Sequence, residues 1–180
     1  MELYTERLRL RSLTKKDFKA VHSYASDPET VRYMTFGPNT EKDTRDFLAR
    51  TVQANKFPSR KQYDFGLEKL DDERLIGACG IYLREPGQAE IGWVLHKDYW
   101  NKGYMTEAAR ELVSFTINTL EIRRIYARCD SENTGSRRVM EKCGMTREAF
   151  FRKVRKLRSE PDGPWRDEFL YAILDEDIKK

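Results

Sequence analysis

Fourteen residues from His96 to Ala109, His-Lys-Asp-Tyr-Trp-Asn-Lys-Gly-Tyr-Met-Thr-Glu-Ala-Ala, have the types and spacing of an anion site. They follow a strand-like run, Glu90-Ile-Gly-Trp-Val-Leu95, and lead into an amphipathic helix. A strand, a short loop holding Gly103 and a helix start together gather backbone N–H groups. A helix N-terminus leaves about four such donors unpaired, and the helix dipole adds partial positive charge there. Phosphate is the anion best suited to that arrangement. A second constellation is Asn133 with Ser136, two residue types favoured as helix N-caps. Glu90, on the strand before the loop, is the best local carboxylate. It could move a proton through a bound water, or be an ordinary glutamate at a strand end.

Other chemistries are excluded by what the chain lacks. With two histidines, His22 and His96, a His-based metal cluster cannot form, and no metal is expected. There is no Gly-x-Ser-x-Gly and no Gly-x-x-x-x-Gly-Lys-Ser/Thr, which removes the nucleophile elbow and the Walker loop. Cys143 precedes a helix-stopping Gly144 and reads as a packed thiol. Lys142, Arg137 and Arg138 could reach an anion, or form a solvated helix face.

The elements that must position these residues can be read from periodicity. Arg7 to Arg11 alternates as a half-buried strand with Leu8 and Leu10 inward. Thr14 can cap a helix through about Tyr24, with Phe18, Val21 and Ala25 on its apolar face. Asp27-Pro28 begins a second short helix, Phe36 to Asn39 is a turn, and Glu41 to Gln53 is a helix carrying Phe47, Leu48 and Val52. Tyr63 to Leu70 and Leu75 to Leu83 flank Asp71-Asp72-Glu73-Arg74 as a hairpin. After Gly103, Ala109, Leu112, Val113, Thr116 and Leu120 share a helix face. Arg124 to Cys129 is a strand, Ser136 to Lys142 a short helix stopped near Gly144, and Glu168 to Leu174 a final strand. Phe151, Val154 and Leu157 recur every three residues among basic ones, a poor strand pattern.

Length and composition bound the rest. At 180 residues, 39% hydrophobic, the chain suits one well-cored domain spanning residues 1–180. No apolar run reaches a membrane span, and Met1-Glu2-Leu3-Tyr4 is no signal peptide. Cys79, Cys129 and Cys143 read as reduced thiols of a cytoplasmic protein. The net charge of +4 favours an anionic ligand without arguing for nucleic acid.

Several stretches in chain order resemble the GNAT superfamily of acyl-CoA N-acyltransferases, in the Rim-type branch of ribosomal-protein N-terminal acetyltransferases. They are Thr5-Glu-Arg-Leu-Arg-Leu-Arg11, Ser26-Asp-Pro-Glu-Thr-Val-Arg-Tyr-Met34, Glu90 to Ala108, and Asn133-Thr-Gly-Ser-Arg-Arg-Val-Met-Glu-Lys-Cys-Gly-Met145. The loop departs from the family pattern at Trp100, Asn101 and Met105. Met105 brings bulk that a close phosphate would have to accommodate.

The resemblance implies an α+β fold: a mostly antiparallel central sheet, helices on both faces and a splayed parallel strand pair, with a strand where the period of three argues poorly for one. It implies an N-acetyltransferase that uses acetyl-CoA as co-substrate and passes the acetyl group directly to an amine, on a small molecule or a protein N-terminus. The catalytic set would be Ser136, Asn133 and Glu90, with Ser136 near the thiolate. Asn101, Lys102, Gly103, Tyr104, Met105 and Thr106 would hold the pyrophosphate. Trp93, Val94 and Leu95 would pair with pantetheine, an N–H near Val94 or Leu95 would face the oxyanion, and Asn133, Ser136 and Lys142 would complete the CoA site. Tyr171 or Tyr63 could serve as acid. The acceptor pocket would be built by Val31 to Thr44, the segment near Tyr63 and Phe65, and the tail from Arg152 to Trp165. A CoA-binding module without catalysis and a ribosome- or RNA-binding protein using Arg152 to Arg158 are the other readings. A monomer or a homodimer fits either.

Overall fold

The chain opens with a three-residue strand, β1 (Glu2–Tyr4), paired antiparallel with β2 (Leu8–Ser12). The computed structural model describes residues 1–57, 60–84 and 86–178. On β2 the alternation works as predicted, with Leu8 and Leu10 fully buried. β1 is too short for alternation to announce it. Thr14 caps a 3₁₀ turn, Lys15–Asp17, and α1 (Phe18–Ala25) follows, so the single helix predicted from Thr14 is split. Asp27 caps α2 (Pro28–Val31), accepting from Thr30 N at 2.8 Å. Thr40 and Asp43 form a capping box at the start of α3 (Glu41–Ala54). This helix buries Thr44, Leu48 and Thr51, with Phe47 only partly covered.

The hairpin β3 (Gln62–Lys69) and β4 (Leu75–Leu83) leads to β5 (Gln88–Leu95), α4 (Tyr104–Asn118), β6 (Arg124–Asp130) and α5 (Thr134–Lys142). The chain then returns through β7 (Thr146–Arg155) and β8 (Arg166–Leu174) to a last turn of helix, α6 (Asp175–Ile178). Among the described residues the strands form one sheet in the order β1-β2-β3-β4-β5-β6-β8-β7, and only β5 and β6 run parallel. The fold is therefore the mixed, mostly antiparallel α+β sheet that was predicted.

Helices cover both faces. Met105, Ala108, Leu112 and Val113 of α4 and Met140 of α5 pack with Leu67, Ile91 and Ile125. On the opposite face Val21 and Tyr24 of α1 and Leu48 of α3 pack with Leu75, Ala78 and Val94. Covered on both sides, β3 and β4 are buried almost continuously instead of alternately. Each large apolar side chain buried there contributes about 1.5–3 kcal/mol. Leu120 lies beyond the last residue of α4, where the predicted face ends.

β7 explains the misleading period of three near the C-terminus. It is an edge strand whose pairing with β8 shifts between Arg147 and Ala149 and again between Phe151 and Arg155, and Lys153 takes a positive φ of 52°. Bulges break alternation, and an edge strand need not bury either face. The residues Arg152 to Arg158 do not form one basic patch. Arg155 turns inward to Asp130, Arg158 pairs with Asp43 at 3.0 Å, and Lys156 Nζ donates to the Pro161 carbonyl at 2.9 Å.

Candidate active site

The site begins where the parallel pair comes apart. β5 and β6 are in register only from Gln88 to Glu90, opposite Arg124 to Tyr126. β6 then stays with β8 as far as Asp130 opposite Glu168, whereas β5 stays with β4 as far as Leu95 opposite Gly77. Asp130 fixes the far end of β6. Its carboxylate, nearly inaccessible, accepts from Arg166 Nη2 at 2.9 Å and Nε at 3.0 Å, with Arg155 at 3.4 Å. Just past the end of β5, His96 N donates to Ile76 O of β4 at 2.9 Å. Alternation along a strand therefore turns the N–H groups of Leu95 and Trp93 toward the gap and that of Val94 toward β4. Of the two expected oxyanion donors, Leu95 has the right direction and Val94 does not.

Beside the gap lies the N-terminus of α4. Gly103 sits in the left-handed region at φ 81° and Asn101 at φ 60°, conformations that Gly and Asn tolerate best. No side chain caps the helix, and its first internal hydrogen bond is donated by Glu107 N to Gly103 O at 3.0 Å. The N–H groups of Tyr104, Met105 and Thr106 precede that bond and have no carbonyl of the helix to pair with. Met105 turns its side chain into the core, 5% exposed, so the crowding expected from its bulk does not arise.

The loop is braced from the turn between β1 and β2. Glu107 accepts from Thr5 Oγ1 at 2.5 Å, Arg7 N at 2.8 Å and Arg7 Nε at 2.7 Å. Arg7 also donates to Lys102 O at 3.1 Å and lies 4.5 Å from the centre of the Tyr104 ring. Burial would raise the Glu107 carboxyl, but the hydrogen bonds from Thr5 and Arg7 outweigh it and hold the group below its usual range. Trp100 Nε1 donates to Leu95 O at 2.7 Å, and Lys102 Nζ to Asp98 O at 2.8 Å. This brace had no sequence signal, because it joins residues about a hundred positions apart. Lys142 ends α5 close by: its carbonyl accepts from Arg110 of α4 at 2.9 and 3.2 Å, and Cys143 Sγ lies 3.9 Å from Thr106 O.

At the other side of the gap Asn133 caps α5, its Oδ1 accepting from Ser136 N at 3.0 Å. Trp93 Nε1 donates to Ser136 Oγ at 3.3 Å. Asn133, Ser136 and Trp93 line a cavity of about 730 Å³ that passes from this gap to the α1/α3 face of the sheet. There it is bounded by Tyr24, Tyr33, Phe36 and Asn39, by Asp64 and Tyr82 of the hairpin, and by Val154 and Arg155 of the tail. Tyr63 and Phe65 point to the other face, where both pack edge-on against Phe115, so the neighbour that reaches the cavity is Asp64. Trp165 is exposed and stacks with Lys156. Tyr171 is bonded to Glu141 at 3.3 Å, and neither it nor Tyr63 borders the cavity, which leaves both out of position as acids.

Glu90 does border the cavity, but its carboxylate is engaged: Oε2 accepts from Arg84 at 2.7 Å and Oε1 from Arg128 at 3.0 Å. A second carboxylate, Glu168, is buried at the same wall, with Arg128 at 3.6 Å and Arg155 at 3.9 Å. Burial pushes its carboxyl up more than those guanidiniums pull it down. Sequence reasoning missed it because nothing in the final strand marks one glutamate as inward. Among the described residues four buried side-chain atoms lack a partner, and three of them, Tyr24 Oη, Asn39 Oδ1 and Arg155 Nε, belong to residues around this cavity. The thiols are poor nucleophiles. Burial pushes Cys143 up to about 11 and Cys129 to about 12, and Cys79 is fully buried and raised further.

A splayed parallel pair with an uncapped, glycine-led helix at its mouth is the geometry the sequence resemblance implied. The family model for the acetyltransferase (GNAT) domain matches residues 7–146. The chain belongs to the GNAT acetyltransferase family. It is 37% identical over 179 residues to the uncharacterized N-acetyltransferase YnaD of Bacillus subtilis, covering 98% of this chain and 99% of that one. The crystal structure of a GNAT-family acetyltransferase from Bacillus anthracis superposes with a TM-score of 0.84 at 38% identity, covering 98% and 99% of the two chains. The RimL ribosomal L7/L12 alpha-N-protein acetyltransferase in complex with coenzyme A shares the fold, with a TM-score of 0.83 at 17% identity over 97% of this chain and 98% of that one.

For a GNAT domain the donor is an acyl-CoA, and the residues present fit one. Free N–H groups at the start of α4 suit a pyrophosphate, and the outward N–H groups of Trp93 and Leu95 suit an amide-bearing arm. Among the described residues there is no cluster of three or more metal-ligating side chains, and no helix is long and apolar enough to cross a membrane.

Proposed function

We propose that this GNAT domain is an N-acetyltransferase that moves the acetyl group of acetyl-CoA directly to an amine in a ternary complex. The observation that carries the reading is the cavity that runs from the β5–β6 gap, where Asn133 and Ser136 at the start of α5 border it, to the α1/α3 face. It lets the donor lie on the α4/α5 side and the acceptor enter from the α1/α3 side. Acetyl-CoA supplies the activated acyl group and a thiolate as leaving group. Asn101, Lys102, Gly103, Tyr104, Met105 and Thr106 hold its pyrophosphate through backbone N–H groups. Lys142 serves the nucleotide end, and Leu95 N–H faces the acyl oxygen.

Ser136 acts at the sulfur. Its oxygen already accepts from Trp93, which leaves the hydroxyl hydrogen free to donate. Asn133 fixes the loop by capping α5. An α-amine, with a pKa near 8, is partly neutral at physiological pH and asks little of a base. With both Glu90 oxygens engaged by guanidiniums, Glu90 serves through a bound water, its two arginines keeping the carboxylate in place. The raised carboxyl and buried position of Glu168 support it as the competing base. Three unpaired thiols support a reducing, cytoplasmic location.

The test is CoA release from acetyl-CoA, followed with a panel of N-terminal peptides and small amines, with the acetylated nitrogen located by mass spectrometry. Acetyl-CoA-dependent N-acetylation of at least one class supports the reading. Binding of acetyl-CoA without turnover of any amine would leave a CoA-binding module instead.

A further inference from the structure

Asp64 stands in the middle of β3 with 6% of its surface exposed. Three neutral groups donate to its carboxylate: Gln62 Nε2 at 2.6 Å, and Thr51 Oγ1 and Tyr82 Oη at 3.3 Å each. Among the described residues no Lys, Arg or His nitrogen pairs with it. The other cavity carboxylates differ. Asp43 pairs with Arg158 at 3.0 Å, Asp46 with Lys42 at 2.6 Å, and Glu90 and Glu168 face arginines. A buried carboxylate without a cation is costly, and burial pushes the Asp64 carboxyl up despite its three donors. Its four lone-pair directions are not filled by three donors.

The strand register leads from this group to the gap. Asp64 lies opposite Gly80, and Gly80 opposite Gly92. Directly opposite residues share a face of the sheet, so the row from Asp64 to β5 carries no side chain of its own, and the Tyr82 ring leans over Gly80 toward Gly92 to form its floor. A Cβ at Gly80 would stand 2.8 Å from Tyr82 Oη and 3.0 Å from Asp64 Oδ1. At Gly92 the nearest atom would be Tyr82 Cε2, at 3.9 Å. Two strand spacings, about 10 Å, separate the ends of this trough.

We propose that Asp64 is the acceptor-specificity residue, binding a second cationic group of the substrate while the reacting amine stands at the gap beside Gly92. The proposal rests on the N-acetyltransferase reading and names its acceptor class: an amine with a second positive nitrogen a few methylenes away. Net basic charge does not oppose this, because the charge that counts lies inside the cavity. Among the described residues Arg50, the remaining charge at the wall without an ion pair, is exposed and screened by water.

The experiment titrates CoA-saturated protein with 1,5-diaminopentane and with 1-aminopentane by calorimetry. The diamine binds at least about tenfold more tightly, a difference of about 1.4 kcal/mol. In Asp64→Asn that advantage disappears while acetyl-CoA affinity stays at the wild-type value. Gly92→Val, which leaves Asp64 in place and fills the trough, loses it as well. Equal affinity for the two amines, or no binding of either by protein that binds CoA, overturns the proposal and leaves the acetyltransferase reading intact. Failure of wild-type protein to bind CoA overturns both.

Discussion

Trp93 Nε1 donates to Ser136 Oγ at 3.3 Å across the gap where β5 and β6 separate. The bond ties β5 to the first turn of α5 and occupies a lone pair of the serine oxygen. With its oxygen accepting from the indole, Ser136 has its own hydrogen to give. Ser136→Ala is therefore expected to lower kcat by about a hundredfold, the lower end of what a positioned acid contributes, with acetyl-CoA affinity unchanged. Trp93→Phe, which removes the orienting donor and keeps the ring, should lower kcat by less. Steady-state kinetics alongside calorimetry separates these from a binding defect, and an unchanged kcat in Ser136→Ala would remove the serine from the mechanism.

Gly103 and Met105 should respond oppositely to substitution although they are two residues apart. Gly103→Ala forces a Cβ into a left-handed conformation, at a cost of about 1–2 kcal/mol, and re-forms the loop that presents the N–H groups. Its acetyl-CoA Kd should rise severalfold. Met105→Ala empties a core position, at about 2–5 kcal/mol, and should leave the Kd of the folded protein unchanged. Urea denaturation and calorimetry on both variants test the pair.

Asp130 should carry a pH-dependent share of stability. Burial raises its carboxyl, but the hydrogen bonds from Arg166, with help from Arg155, more than offset this and hold it below the ordinary value of about 3.8. A carboxyl depressed in the folded state stabilises above its unfolded pKa, and that stabilisation is lost as pH falls through the folded value. Asp130→Asn, which removes the buried charge while Arg166 keeps Glu132 and Arg155 keeps Glu168 and the Tyr33 carbonyl, should cost about 1–3 kcal/mol at neutral pH. The gap between wild type and variant should shrink as pH drops below about 4. Denaturant midpoints across that range decide it.

The thiols should play no covalent part. Cys143→Ala and Cys129→Ala are expected to keep kcat within about twofold, since neither thiol ionises appreciably at neutral pH. Initial-rate patterns with both substrates varied should intersect, as a ternary complex requires; parallel lines would indicate a relay.

Residues whose roles are local are legible in the amino-acid sequence. Gly103 and Asn133 work through backbone conformation and capping, and a single sequence records both. The alternation of Arg7 to Arg11 likewise marks β2 and its inward leucines. What cannot be read there depends on pairings between distant strands. Asp64 becomes visible only through the β3 register, which turns Tyr63 and Phe65 away and leaves the acid in the cavity. The arginines around Glu90 come from β6 and from the turn after β4. The edge strand β7 hides itself, because its bulges replace a period of two with one near three.

The central claim is that the start of α4 and the β5–β6 gap form an acetyl-CoA site. Calorimetric titration of the folded wild-type protein with acetyl-CoA tests it most directly. One-to-one saturable binding, with a Kd on the order of 10 µM, is the result predicted. Folded protein that gives no binding heat at millimolar acetyl-CoA would contradict it.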